Sequence, residues 1–223
     1  MSYRLTLKET TPVTHDVNRL VFDKPKGFTF TPGQATELSL DRDGWREEGR
    51  PFTFTSFPED DFLEFTIKSY PEHDGVTEQI GMLKPGDTVL IGDAWGAIED
   101  KGPGTFIAGG AGITPFIPIL RKRIKTGQGV AGCHLIFSNA TEKDIILRDE
   151  WEEAAGLYTT WVVTEEEVPG LHNRQIDADF LREKVADTNK MAYVCGPDKM
   201  VEDVVKALKE IGVPDDKIVT EEA

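Results

Sequence analysis

Residues Phe106-Ile107-Ala108-Gly109-Gly110-Ala111-Gly112-Ile113-Thr114-Pro115 run from an apolar stretch through three glycines into a helix start. Glycine permits a sharp turn and close approach to the main chain; Thr114 suits a helix cap and Pro115 the first helical position. A helix end displayed in this way carries free N–H groups and roughly half a positive charge, which favours a pyrophosphate. The same residues would also make a tight turn that serves packing alone. Two further marked turns, Ser138-Asn139-Ala140-Thr141 and Cys195-Gly196-Pro197-Asp198, each follow an apolar run. Ligands of an open parallel sheet lie beyond the carboxyl ends of its strands, so all three turns are expected on one edge. Cys195 closes its run, which places its thiol either near that edge or, as for most cysteines, in the core.

Other chemistry is excluded more readily. Cys133 and Cys195 form no CxxC pair, too little for an iron-sulfur cluster or a disulfide scaffold. His15, His73, His134 and His172 lack zinc-site spacing, so no protein-bound metal is expected and any redox group is an organic cofactor. Twenty-five basic and forty acidic side chains give a net charge of −15, which argues against nucleic acid or an anionic membrane as partner. Charges at Arg4, Lys8, Glu9, Asp16 and Arg19 interrupt any leader or membrane span, and the expected location is the cytoplasm.

These residues need two kinds of scaffold. The first hundred residues read as six short strands: 3–8, 18–23, 35–40, 51–56, 62–68 and 88–91. Turns such as Lys24-Pro25-Lys26-Gly27 and Lys84-Pro85-Gly86-Asp87 separate them, and one helical stretch covers 75–82. Beyond Asp100-Lys101-Gly102-Pro103-Gly104 the rhythm becomes apolar strand, turn, amphipathic helix. Strands are expected at 105–108, 134–137, 160–163 and 192–195, and helices at 115–125, 144–155, 178–185 and 198–211. The expected fold is therefore two domains, an N-terminal six-stranded antiparallel β-barrel (1–101) and a C-terminal α/β Rossmann-like parallel sheet (102–223).

With these motifs in order, the chain resembles the ferredoxin-NADP reductase superfamily over essentially its whole length. Arg50-Pro51-Phe52-Thr53 is similar to the flavin motif Arg-x-Tyr-Ser/Thr, and Gly75-Val76-Thr77 to the second flavin motif. Leu83 to Asp87, the glycine turn and Cys195-Gly196-Pro197 match the remaining signatures. The resemblance implies a flavin-dependent NAD(P)H oxidoreductase that binds FAD, with FMN less favoured. Arg50 would clamp the pyrophosphate, Phe52 in place of the usual Tyr would pack on the ring, and Thr53 would hydrogen-bond near flavin N5. Backbone at Thr66, Ile67 and Lys68 would line the flavin, and Gly75 to Thr77 would receive phosphate. Gly110, Ala111, Gly112, Ile113 and Thr114, with Ser138, Asn139, Gly196, Pro197 and Asp198, would hold the dinucleotide. Cys195 would position the nicotinamide rather than act as a nucleophile.

Phe137 to Asp144 offers no arginine and two acids where a 2′-phosphate selector would stand, so NADH is favoured over NADPH, with Lys143 and Arg148 keeping NADPH open. The acceptor implied is a separate ferredoxin or flavodoxin, or a small molecule such as free flavin, a ferric chelate or a quinone. A nucleotide-binding module without turnover is the non-enzymatic alternative. Arg121-Lys122-Arg123 and Lys125 form a possible docking patch for an acidic carrier, or else a solvated helix end. Many relatives end in an aromatic residue over the flavin; this chain ends Val219-Thr220-Glu221-Glu222-Ala223, expected to be a solvated tail.

Overall fold

The computed structural model describes residues 2–70, 73–96 and 98–221. The antiparallel half contains β1 (Tyr3–Pro12), β2 (Val17–Asp23), β3 (Ala35–Leu40), β4 (Arg50–Thr53), β5 (Phe62–Lys68) and β6 (Thr88–Ile91), in the order β4-β3-β6-β1-β2-β5. A bridge between Phe54 and Phe65 joins the two outer strands and nearly closes the barrel. Alternate residues of these strands face inward. Phe22, Phe54 and Phe65 are fully buried there, and the rings of Phe30 and Phe54 stack 4.4 Å apart. The short helix α1 (Val76–Gly81) lies between β5 and β6 and seals the barrel with Val76 and Ile80. Strand β4 is shorter than expected, because Phe54 leaves it to pair with Phe65.

The second half begins at Gly104. Its strands are β7 (Gly104–Gly109), β8 (His134–Asn139), β9 (Tyr158–Val163), β10 (His172–Asn173), β11 (Met191–Cys195) and β12 (Ile218–Thr220), all parallel, in the order β10-β9-β8-β7-β11-β12. Helices α2 (Phe116–Lys125), α3 (Arg148–Glu153), α4 (Ala178–Lys184) and α5 (Asp198–Glu210) cover its faces. The apolar stripe of α5 puts Val204, Ala207 and Leu208 against Ile107 and Val194, as its periodicity requires.

Several expectations change. The helix foreseen over 144–155 is split into a short 3₁₀ turn (Glu142–Asp144) and α3, because Ile145 and Ile146 dive into the core and Leu147 takes a left-handed φ of 57°. The Trp151 indole then donates to the Ile146 carbonyl at 3.1 Å. Strands β10 and β12 had no counterpart in the sequence reading. The acidic tail is not simply a solvated end, since Ile218–Thr220 pairs in parallel with Ala192–Val194 as an edge strand.

The halves are joined by more than the linker. Ile98 and Val17 lie in the core of the second half. Tyr193 donates its hydroxyl to Gly102 O at 2.8 Å and accepts from Lys101 N–H at 2.9 Å. The basic run on α2 is consumed here. Arg123 is buried against Asp100, Arg121 pairs with Glu150 and Glu64 at 2.6 and 3.2 Å, and Lys125 reaches Glu59 at 3.1 Å. The possible docking patch is therefore mostly a set of internal ion pairs, with Lys122 its one remaining cation. Among the described residues no helix is long and apolar enough to cross a membrane.

His134 at the start of β8 is buried, with Nε2 2.8 Å from the Thr160 hydroxyl. Burial holds its imidazole down at about 4, against 6.5 for a free histidine. Below 6.5 the unfolded chain binds a proton that the folded one refuses, so stability falls as pH drops from 6.5 towards 4, by up to about 3 kcal/mol. A His134→Gln variant should be less stable at neutral pH, and its deficit should narrow through that window. Thermal melts of both proteins from pH 7 to 4 check this; a constant deficit would refute it.

Candidate active site

A cleft of about 1110 Å³ lies between the barrel and the carboxyl edge of the parallel sheet. That exceeds the ordinary range for a drug-sized ligand, roughly 300–1,000 Å³, and leaves room for two cofactors face to face.

The barrel wall is organised by strand register. Ala35 sits opposite both Thr53 and Trp95. Continuing the Phe54–Phe65 bridge by one residue places Thr66 opposite Thr53. Directly opposed residues share a face. Trp95, Ala35, Thr53 and Thr66 thus form one row on the outer surface of the barrel, and all four line the cleft. Pro51, Phe52, Ile67, Lys68 and Thr77 line it as well. Phe52 packs partly on the barrel core. Thr53 is buried, and among the described residues its hydroxyl has no protein partner. The Lys68 ammonium would be lowered by burial, but Asp16 at 3.0 Å outweighs this and holds it above its ordinary value.

The opposite wall comes from the turns of the parallel sheet. Gly109 pairs with Ser138 and Ala108 with Cys195, so the ends of β7, β8 and β11 are level, as expected for ligands beyond carboxyl ends. Gly110, Ala111, Gly112, Thr114, Ser138, Asn139, Cys195, Gly196, Pro197 and Asp198 all contribute. The glycine turn is itself a 3₁₀ turn (Gly110–Ile113), with Gly110 at φ 52°. The Thr114 hydroxyl donates back to Ala111 O at 2.9 Å and does not cap α2, which starts one residue later than expected, after Pro115. A Cβ on Gly112 would come within 2.5 Å of the Cys195 carbonyl carbon and Gly196 nitrogen. The two signature turns therefore pack backbone to backbone.

Cys195 is buried, at 6% exposure, yet borders the cleft. Burial, and secondly the Glu221 carboxylate beside it, push its thiol far up, so it is a neutral group. A neutral thiol has the bulk to hold a ring in place and lacks the charge of a nucleophile. Burial also holds the Glu221 carboxyl above its usual range. The β12 strand is what delivers Glu221 here.

Asn139 supplies the clearest sign of a ligand. It is 95% buried, and neither its amide oxygen nor its amide nitrogen has a partner among the described residues. Leaving both unmade costs on the order of 1–3 kcal/mol each. A nucleotide offers donors and acceptors that would satisfy them, so the donor set fits one.

Four expected residues stand elsewhere. Arg50 does not line the cleft; its guanidinium is 53% exposed, donates to Gly49 O at 2.7 Å and lies 3.8 Å from Glu48. Gly75 precedes α1, while Val76 and Ile113 point into the two cores. Tyr70, Trp95, Thr164, Gln175, Met200 and Glu221 line the cleft without having been foreseen. Tyr70 and Trp95 had a signal, being large aromatics beside polar turns; Glu221 had none, since three residues of edge strand carry no periodicity. His15, Asp16 and Asp144 come together, but Lys68 and Thr141 already engage the two carboxylates.

Residues 106–206 match the family described as the oxidoreductase NAD-binding domain. The chain is 28% identical over 240 aligned positions to NADH-cytochrome b5 reductase 1 of Bos taurus, covering 90% of this chain and 78% of that protein. It is 26% identical to the ferredoxin–NAD(P)+ reductase component of the naphthalene 1,2-dioxygenase system of Pseudomonas putida, covering 92% of this chain and 64% of that one. Its fold superposes with a TM-score of 0.84 on a ferredoxin NADP+ reductase from Neisseria gonorrhoeae with bound FAD and NADP, at 18% identity, covering 99% and 97% of the two chains.

Proposed function

We propose that the chain belongs to the ferredoxin-NADP reductase superfamily and is an NADH-dependent FAD reductase passing electrons to a separate one-electron carrier protein, a reading supported by the NAD-binding family match, the reductase relatives and the shared fold. The observation that carries this reading is the single cleft whose one wall holds Phe52 and Thr53 and whose other wall holds the glycine turn and Cys195.

When bound, the flavin supplies the redox step, taking a hydride's two electrons from reduced nicotinamide and releasing them singly. The protein's part is positioning and exclusion of water. Phe52 offers an apolar ring to the flavin, and Thr53 a hydroxyl with no competing protein partner among the described residues. The main chain of Thr66 to Lys68 borders the same shelf. Gly110 to Gly112 let the dinucleotide approach the backbone, Asn139 offers its buried amide, and the neutral Cys195 thiol packs beside the nicotinamide. Thr77, on the segment expected to receive phosphate, lines the same cleft. The test is the visible spectrum: yellow protein that bleaches on anaerobic NADH is expected. Colourless protein, or a yellow one indifferent to both nucleotides, would favour a module without turnover.

Preference for NADH rests on charge at the ends of β8 and β9. Glu166 accepts the Glu142 N–H, and Glu165 and Glu167 flank it. Of the two cations that could have met a 2′-phosphate, Arg148 is tied to Glu142 and to Glu152, the latter at 2.7 Å, which leaves Lys143 alone among neighbouring carboxylates. A phosphate there would face carboxylates with no free arginine. We expect kcat/KM for NADH to exceed that for NADPH at least tenfold in steady-state assays; equal values would overturn the assignment.

The carrier is the less constrained half. With a net charge of −15 and Arg121, Arg123 and Lys125 committed to internal carboxylates, the chain suits a carrier with a neutral or basic rim better than an acidic ferredoxin or flavodoxin.

A further inference from the structure

The backbone of Trp95 is anchored to the barrel although its side chain is exposed. Its N–H donates to Ala35 O at 2.8 Å and its carbonyl accepts from Ala35 N–H at 2.9 Å, yet the residue is 47% exposed. Among the described residues its indole has no ring contact and its ring N–H no acceptor. A half-exposed, unpartnered indole carried on a hydrogen-bonded stretch of backbone inside a cleft is poised to contact something flat and apolar.

The row on the barrel says where that contact falls. Trp95, Ala35, Thr53 and Thr66 stand on neighbouring strands, so the row spans about 14 Å at the usual strand spacing. One end, with Thr66, Lys68 and Thr77, is polar. The other, with Gly33, Ala35, Trp95 and Gly96, has no side-chain hydrogen-bonding group except the indole N–H. An isoalloxazine has the same asymmetry, with carbonyls and N–H groups on its pyrimidine ring and only methyl groups on its benzenoid ring. Matching the two puts the pyrimidine ring towards Thr66 and the benzenoid ring against Trp95. The nucleotide takes the wall around Gly110 and Cys195, so a carrier protein finds that side filled.

We infer that Trp95 is a positioning residue for the electron-releasing half of the reaction, packing on the benzenoid end of the flavin and presenting its exposed face to the one-electron carrier. This rests on the flavin reductase reading above. The balance is that one NADH gives two electrons and one proton as hydride; two oxidised carriers each take one electron, and one proton goes to solvent. Trp95 is not itself oxidised at any point.

Two measurements test this. FAD added to the apoprotein should quench indole fluorescence, and Trp95→Phe should lose the largest single share of that quench compared with Trp45→Phe, since Trp45 packs on the barrel core and Trp151 and Trp161 are buried in the second half. In turnover with cytochrome c as a basic carrier probe, Trp95→Ala should lower kcat/KM for the carrier at least fivefold more than it lowers the rate of anaerobic bleaching by NADH. Trp95→Phe, which keeps an aromatic face, should recover most of the loss. A quench retained in Trp95→Phe, or carrier and bleaching rates falling together in Trp95→Ala, would overturn the role of Trp95 and leave the reductase reading intact. Wild-type protein that neither binds FAD nor bleaches would sink the reductase reading itself.

Discussion

A Gly112→Ala protein is expected to fold and bind flavin, yet to be reduced by NADH at least a hundredfold more slowly than the wild type. The added methyl group would meet the Cys195 carbonyl group and the Gly196 nitrogen, all backbone atoms that no rotamer change can clear. The turn after β7 and the turn after β11 must then separate by a fraction of an ångström to an ångström. On the proposed function these turns would hold the dinucleotide and the residue beside the nicotinamide, and a misplacement of about 1 Å at a reacting centre costs on the order of 10²-fold. Overpacking of this kind also costs roughly 1–3 kcal/mol of stability, which a melt will register. Gly110→Ala is the internal comparison. Its Cβ would meet nothing within 4 Å, and the penalty is only that of a left-handed φ of 52°, about 1–2 kcal/mol. Stopped-flow bleaching of the three proteins decides the matter; a Gly112→Ala rate within tenfold of wild type would mean that the two turns are not coupled.

Removing the carboxylate of Glu64 should produce the largest loss of stability outside the hydrophobic cores. Glu64 projects from β5 with its side chain 6% exposed, and takes Arg19 at 2.6 Å, Arg121 at 3.2 Å and the Thr55 hydroxyl at 2.9 Å. Arg121 belongs to α2 and reaches on to Glu150. Burial alone would lower its guanidinium; Glu150 and Glu64 outweigh that and hold it above its ordinary value. The pair therefore ties the barrel to the second half in a site poor in water. Glu64→Ala leaves Arg121 with one partner and most of its desolvation, which costs on the order of 3–5 kcal/mol for a buried pair. Arg19 and Arg121 are 32% and 25% exposed, so solvent screening brings the expected loss to about 3 kcal/mol. For a chain of this size that lowers Tm by roughly 10 °C. Glu64→Gln, which keeps the acceptor for Thr55, should lose less. A double-mutant cycle with Arg121→Ala measures the coupling; additive losses would show that the halves are joined by other contacts.

The local chemistry of the chain was legible residue by residue. Turn glycines and prolines, strand alternation and the stripe on α5 depend on neighbours within a few positions, and they marked both halves and the edge on which Gly110, Asn139 and Cys195 meet. Short edge strands were not legible: β10 has two residues and β12 three, too few for a period, and their pairing comes from β9 and β11, ten and twenty-six positions away. The same reason hid Glu221, whose place beside Cys195 exists only because β12 lies along β11. The break before α3 was hidden too, since Ile145 and Ile146 fit a helical stripe until the core beneath them is known.

What the amino-acid order determined by itself was therefore the kind of cleft: two scaffolds, a dinucleotide turn and a flavin-like strand motif. Which charges face that cleft was decided only by tertiary structure. Arg50 turns out to the surface, Arg121, Arg123 and Lys125 of α2 are drawn into ion pairs with Glu64, Glu150, Asp100 and Glu59, and the Trp95 indole has no partner among the described residues. A charge is satisfied by whatever group lies within a few ångströms, and for the paired cations of α2 that group is 23 to 66 positions away along the chain.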